Sequence, residues 1–123
     1  MDPTLSAERS METVSAVLLP YQRVRISGPS MVPTLYDGDV VVVRHTTRIR
    51  SGDIVLARFR DLPQRLVVKR AVAPDGSGWH IRSDNETAGG DSRTHGPADV
   101  VGRIVWRWST RATRRTRWLP ARV

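Results

Sequence analysis

The sequence predicts a small, mainly β protein: a bent, barrel-like antiparallel sheet with a short helix at its N-terminus. Three observations carry this. Beyond Pro20, apolar residues alternate with polar ones or gather in short β-branched runs, the pattern of half-buried and buried strands. Clusters of Gly, Asp and Pro separate these runs at short intervals. The 123-residue chain is 39% hydrophobic and has no cysteine, so it must build one modest core without disulfide staples.

Each element has its own signal. Over residues 5–18, Ala7, Met11, Val14 and Leu18 recur at helical spacing, with Ser6 as N-cap and Glu8 in the first turn, and Pro20 ends the segment. Val24 and Ile26 then alternate with Arg23 and Arg25. Val40 to Val43 follow an Asp37-Gly38-Asp39 turn, and Ile54 to Phe59 follow Ser51-Gly52-Asp53. Leu66 to Ala73 run from Pro63 to a Pro74-Asp75-Gly76-Ser77-Gly78 turn; Trp79 to Arg82 and Val100 to Trp108 complete the set. The expected organisation is a helix and linker over residues 1–22, a β domain over 23–108 and a basic tail over 109–123.

Charge is unevenly spread. Residues 1–99 hold 13 basic and all 12 acidic side chains, whereas residues 100–123 hold seven arginines and no acid. The tail, with Trp106, Trp108 and Trp118 among its arginines, suits an anionic surface or is simply a solvated chain end. The absence of cysteine excludes thiolate nucleophiles and zinc fingers, and the three histidines form no ligand motif, so no metal or other cofactor is expected. Near the N-terminus the longest apolar run, Ala16 to Leu19, is far too short to span a membrane, and no transmembrane anchor is expected. The expected location is the cytoplasm, at most peripheral to a membrane.

Nineteen of the 20 cations are arginine; Lys69 is the single lysine. A guanidinium stays protonated in a protein, so a side-chain amine acting as a base must be Lys69. It sits in the apolar run Leu66-Val67-Val68-Lys69-Arg70-Ala71-Val72, where burial favours the neutral amine. Ser30 lies between Pro29 and Pro33 in a constrained loop, and a neutral lysine within reach can activate a serine. The plain alternatives are a turn serine and an edge-strand lysine turned to water.

Ser30-Met31-Val32-Pro33-Thr34-Leu35, Gly38-Asp39, Val68-Lys69-Arg70, Asp84-Asn85 and Asp91-Ser92-Arg93 together resemble, in order and spacing over residues 24–106, the motifs of the type I signal peptidase family. The resemblance implies a β-fold serine peptidase with Ser30 as nucleophile and Lys69 as general base. It implies Asp91 and Arg93 as a bracing pair, Asp84 and Asn85 as the matching Asp-Asn step, and Ser92 and Gly28 as further site support. The position that often holds a lysine-orienting serine is Gly89 here, which leaves Thr87 or Ser92 for that task; Ser83 replaces a glycine usual at the start of the loop. Gly28 stands where one branch of the family has a side-chain oxyanion donor, so the Ser30 N–H is expected to carry more of that load.

Ala88-Gly89-Gly90-Asp91-Ser92, the compact step from Ser30 to Lys69 and the Arg/Trp-rich end resemble the soluble nickel superoxide dismutase maturation proteases. That resemblance implies a precursor protein with an N-terminal extension as partner, the nickel superoxide dismutase precursor first. The competing readings are a self-cleaving repressor-type Ser–Lys peptidase and a non-enzymatic basic β-barrel that binds nucleic acid.

Overall fold

The computed structural model describes residues 13–18, 20–88, 90–109 and 117–118, with side chains for 20–88 and 90–109. Eight strands form one antiparallel sheet among these residues: β1 Thr13–Leu18, β2 Tyr21–Arg25, β3 Val40–His45, β4 Ile54–Phe59, β5 Leu66–Asp75, β6 Gly78–Arg82, β7 Ala98–Trp108 and β8 Arg117–Trp118. A one-turn helix, α1 Ser92–His95, precedes β7. The sheet order is β1-β2-β3-β7-β4-β5-β6, with β8 also on β7 and a further contact, Trp79↔Ala98, that brings β6 back to β7. The long strand β7 therefore joins β1-β2-β3 to a unit, β4-β5-β6, that curls back onto it. The predicted bent antiparallel sheet is present.

The N-terminal helix is not, in the part of it that is described. Residues 13–18 are strand β1, with Thr13 opposite Val24 and Leu18 opposite Tyr21. Helical spacing here competes with Thr13, Val14 and Val17, whose β-branched side chains favour a strand. Pairing also covers the β2 edge, which would otherwise leave its N–H and C=O groups open. Residues 5–12 of the expected helix lie outside the described residues. Strands β1 and β2 belong to the sheet, and Arg117–Trp118 pairs with Trp106 and Arg107.

Strand β4 is apolar without alternation because both its faces are covered. Ile54 and Leu56 enter a core with Val24, Met31, Leu35 and Val41. Val55, Ala57 and Phe59 enter a second core with Ala71, Ile81 and Ala98. A strand buried on both sides reads as a continuous run.

Gly102 sits where β7 passes from β3 to β4, opposite both His45 and Leu56. A Cβ at this position would strike the Arg44 carbonyl and the Val43 side chain. Gly102→Ala must therefore shift backbone, and it is expected to cost about 1–3 kcal/mol, the usual range for overpacking. Urea unfolding should show a lower midpoint at unchanged slope; an unaltered midpoint would contradict the close approach.

Candidate active site

The loop that carries Ser30 is anchored by its neighbours. Leu35 N–H donates to Met31 C=O at 2.8 Å, a single helical turn that sends both side chains into the first core, where each is fully buried. Burying two such side chains contributes roughly 1.5–3 kcal/mol each. Gly28, at φ 89°, supplies the left-handed turn before Pro29, and its N–H donates to Asp37 Oδ1 at 2.8 Å. Ser30 is left half-buried on the wall of a cleft of about 340 Å³.

Lys69 lines the same cleft from β5 and is only 5% exposed. Its backbone lies opposite Val55 of β4, and its Nζ donates to Ser83 Oγ at 2.8 Å. Burial pushes the Lys69 pKa down, the nearby Asp91 carboxylate opposes this, and Arg65 adds to the lowering. The net direction is toward the neutral amine.

Two polar braces hold the loops around this pair. In the first, Arg70 donates to both Asp84 oxygens, at 3.1 and 2.6 Å, while Thr34 Oγ1 donates to Asp84 Oδ2 at 2.6 Å. Burial alone would raise the Asp84 pKa, but these donors outweigh it and the pKa is lowered. Asn85 extends the brace: its N–H donates to Ser30 C=O at 2.9 Å and its Nδ2 to Pro29 C=O at 3.1 Å. In the second brace, Arg93 donates to both oxygens of the buried Asp91, at 3.1 and 3.0 Å, and Ser83 N–H approaches Asp91 Oδ2 at 3.3 Å. Burial works against the Asp91 carboxylate, yet the Arg93 and Ser83 donors hold its pKa at about 2.

Most of the expected site residues thus converge. Ser30, Gly28 and Lys69 line the cleft, Asp84 and Asn85 hold the Ser30 loop, and Asp91 and Arg93 hold the strand end behind Lys69. Ser92 plays another part than expected: its Oγ accepts from Ile81 N–H at 2.9 Å. Thr87 donates to Asn85 Oδ1 at 2.7 Å, and neither residue bonds the lysine. The lysine's partner is Ser83. Thr34 and Arg70 were also missed as brace members. Gly28 N–H is spent on Asp37 Oδ1.

Residues 13–105 match the family model described as Peptidase S24-like. The chain belongs to the Peptidase S24-like family. Within the family's peptidase fold it is similar to curated mitochondrial proteases. It is 31% identical to mitochondrial inner membrane protease subunit 1 of Mus musculus, with 70% of each chain covered. It is 32% identical to the Xenopus tropicalis protein of the same name, covering 66% of this chain and 65% of that one. It is 34% identical to mitochondrial ATP-independent inner membrane protease subunit 1a of Arabidopsis thaliana, over 58% and 59% of the two chains. The chain thus spans less than two thirds of the plant and frog relatives.

Asp91 makes the acid stability of the fold predictable. Its folded-state pKa of about 2 lies below the ordinary 3.8. Its contribution is therefore present above the ordinary value and is lost as pH falls toward 2. Denaturation midpoints should decline through this window in the wild type and decline less in Asp91→Asn. Identical slopes for the two proteins would contradict the Arg93–Asp91–Ser83 brace.

Proposed function

We propose that this chain is a serine endopeptidase of the signal-peptidase type that removes an N-terminal extension from a precursor protein, with Ser30 as nucleophile and Lys69 as general base. The observation that carries the reading is the setting of Lys69: buried in an apolar strand, bonded to a hydroxyl rather than a carboxylate, and lining the cleft that Ser30 also lines.

Neutral Lys69 takes the Ser30 Oγ proton as the oxygen attacks the scissile carbonyl carbon. The Ser30 N–H faces the developing oxyanion, a donor type worth about 3–4 kcal/mol. Collapse of the tetrahedral intermediate breaks the C–N bond, and the Lys69 ammonium returns its proton to the leaving amine. Water then attacks the ester, giving its proton to Lys69, and Ser30 leaves with that proton. Each step cycles one proton through Nζ and needs no cofactor.

The nickel superoxide dismutase precursor is the substrate to assay first, on the resemblance of residues 88–92 to the maturation proteases. The names of the mitochondrial relatives suggest a setting beside a membrane, and the Arg-rich end of this chain suits a peripheral contact with an anionic surface from the cytoplasm.

Intact-mass analysis of that precursor with wild-type protein should reveal one N-terminal cut, absent with Ser30→Ala. Lys69→Met keeps the buried volume and removes the base; it should remain folded and lose at least about 10³-fold in kcat/KM. The wild-type kcat/KM should rise with pH and level off below the ordinary lysine range, because burial lowers the Lys69 pKa. A cut by Lys69→Met, or a flat pH profile, would overturn the dyad. The mass of the enzyme itself, followed in the same spectra, distinguishes this from self-cleavage.

A further inference from the structure

One wall of the cleft comes from the β4–β5 hairpin and has no part in the proposed chemistry. It is formed by Leu62, Leu66 and Val67, and Phe59 and His95 also line the cleft. The Phe59 and His95 rings pack at 4.7 Å between centroids. His95 Nδ1 lies 3.0 Å from Asp61 Oδ2, which fixes the ring; Asp61 itself is not among the residues lining the cleft. An ionised carboxylate only accepts, which makes Nδ1 the donor.

Arg65 stands on the same rim, its backbone held in a turn by Leu62 C=O at 3.0 Å. Its guanidinium is exposed, and no ion pair or side-chain hydrogen bond engages it among the described residues. The residues lining the cleft include Arg65, Lys69 and His95 but no aspartate or glutamate. A peptide entering here therefore meets an apolar wall beside an exposed arginine with no side-chain partner among the described residues. A basic side chain would face like charge, an alanine would leave the cation unmet, and a carboxylate on a short methylene stem would satisfy both features.

On the reading that the substrate peptide occupies this cleft, we infer that Arg65 is a specificity-determining residue that selects an acidic side chain on the substrate residue meeting the hairpin wall. The selection is one of charge. Arg65 contacts substrate and transfers no proton itself; because its charge also lowers the Lys69 pKa, selection is read from binding.

The test uses Ser30→Ala protein, so that binding is read apart from cleavage. Fluorescein-labelled alanine–serine decapeptides carry a single Glu, Gln or Lys moved through the six central positions. Anisotropy titrations should reveal one position at which Glu binds at least about 10-fold more tightly than Gln or Lys. Adding Arg65→Gln should erase that preference, and Arg65→Glu should turn it toward Lys. Equal binding of Glu, Gln and Lys at every position, a Glu preference that survives Arg65→Gln, or no binding of any peptide would overturn the inference. The best peptide is then given to wild-type protein. A Glu-selective peptide that binds and is never cut counts against the peptidase reading and leaves the Arg65 selection standing. Cutting with no dependence on Glu does the reverse.

Discussion

One inserted residue in β5 decides what the buried lysine meets. From the hairpin turn, Pro74 pairs with Trp79 and Ala73 with His80. Val72 is then extra, 39% exposed, and pairing resumes one place over with Ala71 opposite Ile81 and Arg70 opposite Arg82. The next step along this register sets Lys69 opposite Ser83. Without the bulge it would set Lys69 opposite Asp84. A carboxylate there would stabilise the ammonium and hold the lysine protonated. The bulge instead gives Lys69 a neutral hydroxyl and leaves Asp84 to Arg70 and Thr34. A one-residue shift in pairing thus decides between a hydroxyl and a carboxylate as the partner of Lys69.

The rest of the site depends on keeping that register. Lys69 is on a strand whose neighbour, β4, is packed on both faces, so β5 cannot slide without opening one of the two cores. The Ser30 loop is tied to the first core by Met31 and Leu35, and to the end of β6 by Asp84 and Asn85. The Asp91–Arg93 pair fixes the other side of Ser83. Ser30 and Lys69 come from segments 39 positions apart in the sequence. Core burial sets where each segment lies, and charge-assisted hydrogen bonds fix the approach of one to the other.

Much of this was legible in the chain. The strands from Val40 onward announced themselves by β-branched runs and turn residues, and the single lysine in an apolar run is the buried lysine of the cleft. Residues 13–18 were misread because Val14 and Leu18 satisfy a helical period by position alone, while the open β2 edge that recruits them exists only in the fold. Ser83 was passed over because facing residues in a hairpin are found by counting from the turn, and a bulge at Val72 changes the count by one. Arg65 carried no sequence signal at all among 19 arginines. Its interest comes from lining a cleft without a partner.

Because Lys69 is the only lysine, its titration can be observed without assignment. Protein grown with lysine carrying ¹³C at Cε would give one side-chain lysine resonance, whose chemical shift against pH reads the Nζ protonation state directly. Burial against a hydroxyl partner predicts a midpoint below the ordinary 10.5. A midpoint at or above that value would show an ammonium at working pH, and Lys69 could not then be the base that activates Ser30.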